Sequence, residues 1–230
     1  MEGLWLCRRA LDGDEPRVLV TPNAEMLSMV KDRKILSDAD ILFPDGIGIY
    51  LAMKRVGLPA AERSCGIGLA ERLFESNGAR GKKIKVFLLG GRPGVAERAA
   101  ASLERRYGSA DIHGIHHGYF DPKGTENREV IKAINKSGAE LILVCMGFPR
   151  QERWMLENRR LLISARLLMG LGGSLDVWSG DVPRAPRAVR ELGFEWAYRA
   201  VKQPARLARL PSIARFAIET AVTPKETQRN

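Results

Sequence analysis

The sequence predicts an α/β protein: a mainly parallel sheet with helices on both faces, followed by a short basic helical appendage. Three observations carry this. Short apolar runs alternate with stretches of helical periodicity along most of the 230 residues. Glycine pairs or a Met-Gly step close several of those runs, at Gly90-Gly91, Met146-Gly147 and Gly172-Gly173. Polar residues gather where the runs end, which in a parallel sheet is the rim where ligands bind.

Val18–Val20 reads as the first strand, and Glu25–Ser37 as the helix after it. Ile41–Phe43 is the next strand, closed by Pro44-Asp45-Gly46, with helical stretches at 47–55 and 68–78. Lys85–Leu89 is a buried strand that runs into a helix over 95–107. Ile112–Ile115 reads as a strand, Thr125–Ser137 as a helix and Leu141–Cys145 as a strand. Gln151–Arg160 is a helix and Ala165–Gly170 a strand. After about Gly180 the glycine turns stop and arginines accumulate among Trp196, Tyr198, Leu207, Leu210, Ile213, Phe216 and Ile218. Pro204 and Pro211 divide this segment into short helices. The expected organisation is therefore a core over residues 1–180 and a basic amphipathic appendage over 181–230.

The composition narrows the function. With 37 basic against 27 acidic residues the formal charge is +10, which favours an anionic partner: a nucleic acid, a lipid surface or a phosphorylated substrate. A nucleic-acid module is the weaker of these readings, because no recognition-helix, zinc or aromatic-basic RNA motif is present. Cys7, Cys65 and Cys145 are too widely spaced for a zinc site or a disulfide framework, which suits a reducing, cytoplasmic compartment. No apolar run of about eighteen residues occurs, so no bilayer span is expected.

Individual motifs each admit a plain and a chemical reading. In Val20-Thr21-Pro22-Asn23, Asn23 suits a helix cap, and Thr21 and Asn23 equally suit a strand end facing a ligand. Asp45 sits in an Asp-Gly turn, yet it is also the carboxylate beside that strand end, where it can take a proton from a hydroxyl. Asp38-x-Asp40 has the form of a metal motif but precedes its strand, at the wrong rim, and no metal is expected. Gly90 and Gly91 open a G-G-x-x-G turn that reads equally as a phosphate approach or a tight turn. Arg63 is a candidate phosphate clamp. Gln151 can hydrogen-bond a base, ribose or sugar, whereas Glu152 suits the dipole of a helix start. His113, His116 and His117 lack ligand spacing and read as loop residues. Arg187 and Arg190 read as a solvated basic face.

The ordered series TPNAE, PDGIGI, ER-x-x-G, LLGG-x-PGVAE, GYF, MG-x-P-x-QE, GLGGSLD, G-x-x-x-RAP, G-x-EW-x-x-R and P-x-RLARL resembles the WecG/TagA/CpsF family of bacterial glycosyltransferases, from about Val18 to about Leu210. The resemblance implies a Rossmann-like core with a C-terminal appendage, the arrangement called GT-E. It implies metal-independent, inverting transfer from a UDP-sugar, typically of N-acetylmannosamine, to a polyprenyl-pyrophosphate-linked N-acetylglucosamine. The products feed teichoic acid, exopolysaccharide or capsule. The enzyme would be cytoplasmic, held at the inner membrane face by its basic C-terminal segment, with no nucleic-acid partner; a homo-oligomer is compatible with this. The match assigns Asp45 as catalytic base with Thr21 beside it, and Asn23, Arg63 and Gln151 as substrate contacts; Gly90 and Gly91 join them as candidate substrate contacts from their own turn. It assigns Arg199, Arg206 and Arg209 to the departing pyrophosphate. Two departures stand out. Gly68 occupies the place where the family usually has an aspartate in G-x-D-L. The chain also starts later than family members usually do, as a shortened gene product would. Both prompt a second expectation: a member that binds UDP or lipid without transferring sugar.

Overall fold

The computed structural model describes residues 2–29, 34–55, 57–58, 65–186, 188–189, 198 and 210–222. They fall into two compact units. The first comprises residues 1–20, 34–42 and 66–183; the second comprises residues 21–33, 43–65 and 184–230.

The first unit holds a six-stranded sheet. Its strands are β1 (Arg17–Val20), β2 (Ile41–Leu42), β3 (Ile84–Gly90), β4 (Ala110–His116), β5 (Leu141–Cys145) and β6 (Leu167–Gly170). They lie in the order β2-β1-β6-β5-β3-β4, and every pairing is parallel. The α/β class with a parallel sheet expected from the sequence is thus observed, whereas most of the expected C-terminal appendage lies outside the described residues. All residues of β5 and β6 are buried, as are six of the seven in β3. Strands covered on both faces have no solvent side to serve, so their sequences run as continuous hydrophobics without alternation. The edge strands differ: β2 has two residues, and β4 is mostly half-buried.

Helix α1 (Glu2–Leu11) precedes β1 and buries Gly3, Cys7 and Ala10, a one-turn spacing that marks its inner face. It packs on α5 (Gly66–Gly78). The remaining helices of this unit are α3 (Lys34–Ser37), α6 (Val95–Arg106), α7 (Thr125–Ser137), α8 (Arg150–Asn158) and α9 (Ser174–Trp178). The crossover β3-α6-β4 runs toward one edge of the sheet, whereas β4-α7-β5 and β5-α8-β6 run toward the other. Right-handed crossovers in opposite directions place their helices on opposite faces. The packing agrees: α6 lies against α9, while Trp154 of α8 donates its indole N–H to Asn127 of α7 at 2.7 Å. Asn127 in turn donates to Asn158 at 3.0 Å, and Asn158 donates to the Trp154 carbonyl at 2.8 Å, so the α7–α8 seam is closed by a polar relay. On the other side, Trp178 of α9 donates to the buried carboxylate of Glu71 on α5 at 3.1 Å.

The second unit contains α2 (Ala24–Met29), α4 (Gly46–Arg55) and α10 (Leu210–Val222). Helix α10 packs on both α2 and α4. Gly48 lets α4 approach α2, since a Cβ there would stand 3.1 Å from that of Ala24. Arg55 donates to the Ala221 carbonyl at 3.0 Å, satisfying an acceptor at the end of α10. Pro211 sits in the first turn of α10, where its missing N–H costs nothing. Helical periodicity suggested one helix over 25–37; residues 24–29 and 34–37 are helical, and the link between them lies outside the described residues.

Candidate functional site

Two groups of candidate residues are described, one in each unit. In the second unit, Thr21 and Asn23 directly follow β1 in the chain, and Asp45 follows β2. The Asp45 backbone N–H donates to the Pro22 carbonyl at 2.8 Å, so the stretch carrying the carboxylate is stitched between Thr21 and Asn23. Asp45 is half-buried and Thr21 is buried. Asn23 caps α2: its Oδ1 accepts the Met26 N–H at 2.9 Å. The plain reading of Asn23 therefore accounts for its carbonyl, and the amide N–H groups are what it can still offer a ligand.

In the first unit, the glycine turns collect where neighbouring strands β3 and β5 send their crossovers in opposite directions, the place where doubly wound sheets open a crevice. The Gly91 N–H donates to the Cys145 carbonyl at 3.2 Å, and the Gly118 N–H to the Gly91 carbonyl at 2.9 Å. These bonds draw the turns after β3, β4 and β5 together. A Cβ on Gly90 would stand 2.3 Å from the Cys145 carbonyl oxygen, so this glycine is required by strand packing whatever else it does. Gly91, with φ +67, carries the tight turn. The loop after β4 was singled out in the sequence only as the motif GYF. It holds His117 and the exposed Tyr119 next to Gly118, and is braced where Arg150 donates to the Phe120 carbonyl and lies over its ring. Nothing local in the sequence connects that loop to Gly90; the connection runs through the Gly118 N–H bond to the carbonyl of neighbouring Gly91.

Gln151 is 3% exposed and does not present its amide to solvent. Its Oε1 accepts the N–H of Gly147 at 3.1 Å and that of Gly172 at 3.0 Å, tying the turn after β5 to the turn after β6. Its Nε2 donates to Glu152 at 2.8 Å. Glu152 is completely buried, and burial raises its pKa above the usual carboxylate value against the opposing effect of the Gln151 hydrogen bond. Cys145 is buried as well, its thiol pushed up to about 12 mainly by desolvation. Asp40 is at the amino rim as expected. Its carboxylate holds Arg17 at 3.2 Å, Arg159 at 2.6 Å and the Val18 N–H at 2.8 Å, which makes it a brace for β1. Among the described residues no group of three or more His, Cys, Asp or Glu side chains is gathered as for a metal ion. None of the described helices is long and apolar enough to cross a membrane. Arg63, Arg187, Arg190, Arg199, Arg206 and Arg209 lie outside the described residues, as does most of the expected appendage.

A fully parallel sheet with glycine turns converging beyond the carboxyl ends of β3, β5 and β6 defines a protein of the doubly wound, ligand-binding α/β class. The chain belongs to the glycosyl transferase WecG/TagA/CpsF family, whose model matches residues 3–230, essentially its whole length.

Proposed function

We propose that this glycosyltransferase family member moves a hexosyl group, N-acetylmannosamine or a close relative, from a UDP-sugar to a polyprenyl-pyrophosphate-linked N-acetylglucosamine, with inversion and without a metal. The observation that carries the reading is the Asp45 N–H bond to the Pro22 carbonyl, 2.8 Å, which holds a half-buried carboxylate beside the Thr21-Pro22-Asn23 strand end. In the proposed reaction an acceptor hydroxyl attacks the anomeric carbon from the side opposite UDP. The new C–O bond forms as the anomeric C–O bond to phosphate breaks, and the bonding pair leaves with UDP. Asp45 takes the hydroxyl proton, and Thr21 with the Asn23 amide orients the sugar. A positioned base of this kind contributes about a hundred- to ten-thousand-fold. Arg63, Arg199, Arg206 and Arg209 would offset the charge growing on the pyrophosphate, where bidentate guanidinium pairs suit phosphate oxygens. The basic C-terminal segment would bring the enzyme to the anionic inner face of the membrane.

The test is acceptor-dependent UDP release, with UDP-N-acetylmannosamine as donor and a short polyprenyl-pyrophosphate N-acetylglucosamine as acceptor. Release that requires the acceptor, and that disappears in D45N, is expected. Release in D45N at the wild-type rate would remove Asp45 from the chemistry. Gly68, in the first turn of α5 where the family usually carries an aspartate, favours a second reading: ligand binding without transfer. Turnover with any UDP-sugar would eliminate it.

A further inference from the structure

Gln151 and Glu152 form a small closed system in the first unit. Two backbone N–H groups, from Gly147 and Gly172, point at one side-chain oxygen of Gln151. That demand fixes which end of the amide is oxygen, and the NH2 end must then find an acceptor. The acceptor is Oε1 of Glu152 at 2.8 Å. Met155 and Gln151 also fill the space over Gly170, where an added Cβ would stand 2.9 Å from Gln151 Nε2 and from the Met155 methyl. The amide therefore has little room to turn. Glu152 is the one side chain seen receiving its NH2 end, and it is wholly buried with Oε2 unpartnered among the described residues. A carboxylate placed for catalysis would be open to substrate, and one placed to balance a helix dipole would be open to water.

We propose that Glu152 is a positioning residue, which by holding the Gln151 amide in one orientation sets the spacing of the glycine turns after β5 and β6 that receive the UDP moiety of the donor. This rests on the UDP-sugar reading above for the ligand, though not for the clamp itself. Burial raises the Glu152 pKa, and what Gln151 requires there is only an accepting oxygen. Glutamine is then a close substitute: its carbonyl accepts from Gln151 as before. Leucine fills similar volume but leaves the buried Gln151 NH2 without an acceptor, and the amide shifts away from the Gly147 and Gly172 N–H groups as it seeks one.

The experiment compares wild type, E152Q and E152L in donor kinetics and UDP calorimetry, with amide hydrogen exchange of Gly147 and Gly172 read by NMR. E152L should raise the donor KM and the UDP Kd about tenfold, with kcat within about twofold, because ground-state positioning is lost. Its Gly147 and Gly172 amides should exchange faster. E152Q should restore all three readouts. Wild-type values in E152L, a loss confined to kcat, or failure of E152Q to rescue would overturn the proposal. If E152L does not fold, the wild-type amides decide: protection of both supports the clamp, and exchange at the rate of an open loop refutes it. Wild type that binds no UDP would instead refute the donor reading, while the exchange data still judge the clamp.

Discussion

Replacing Gly90 by alanine tests why the turn after β3 is built from glycine. The added Cβ would stand 2.3 Å from the Cys145 carbonyl oxygen, 2.5 Å from its carbon and 2.7 Å from the Cys145 Cβ. The first two atoms are backbone of β5, paired to Gly90 in register, so no rotamer change relieves the overlap. Alanine must also adopt φ +146, a region that L side chains rarely enter, at about 1–3 kcal/mol. Forcing atoms into a packed interior adds about 1–3 kcal/mol. The expected loss is therefore about 2–6 kcal/mol, a large share of the roughly 5–15 kcal/mol that holds a domain folded. For a chain of this size that corresponds to a fall in Tm of roughly 12 °C at mid-range. The control is Gly138→Ala at the end of α7, which has positive φ (+64) but no atom within 4 Å of an added Cβ. It should cost only about 1 kcal/mol, a few degrees. Calorimetric melts of G90A and G138A decide the matter. Equal shifts would mean that backbone conformation alone accounts for Gly90 and that the close approach to β5 is relaxed at no cost.

Other outcomes follow from individual contacts. Asp45→Asn should leave the chain folded while transfer falls about a hundred- to ten-thousand-fold, as measured by UDP release. Asp40→Ala removes the shared partner of Arg17 and Arg159 and should cost roughly 1–3 kcal/mol of stability in urea titrations, with kcat unchanged; a selective loss of activity would reinstate Asp38-x-Asp40 as a chemical motif. Cys7 and Cys145, both pushed up to about 12 by burial, should resist a thiol reagent at pH 8 until the chain is unfolded. The same two thiols make stability fall at high pH. Unfolded, they ionise near 9.0; folded, they keep their protons to about 12. Their contribution is thus complete below pH 9 and lost as pH rises from about 9 to 12, which denaturant midpoints across that range will show in C7A and wild type.

The sequence disclosed what depends on neighbours in the chain. A strand buried on both faces must be apolar throughout, so Leu141–Cys145 and the run Val86–Leu89 were recognisable, and the glycine turns marked their ends. Asn23 showed its cap because the cap bond closes over three residues. Strand order was not readable, because the ladder that joins β1 to β6 is backbone to backbone and carries no residue code. The helix α1 was not anticipated: its inner face consists of Gly3, Cys7 and Ala10, small residues that give little hydrophobic signal.

The candidate site divides along the same line. Asp45 and Thr21 could be singled out as candidates because a polar strand end is visible locally. The use made of Gln151 could not, because half of it is decided by the N–H of Gly172, twenty-one positions away along the chain. An amide read as a substrate contact has both lone-pair directions of its oxygen occupied by backbone donors. Only its second Nε2 hydrogen remains for a ligand, and at 3% exposure that hydrogen reaches a substrate only if the surrounding turns give way. Removing Gln151 should therefore act first on the turns and only through them on catalysis. Gln151→Ala is expected to raise the donor KM more than it lowers kcat, and to leave D45N no less defective than before. A large fall in kcat with KM preserved would place the amide against the reacting sugar instead.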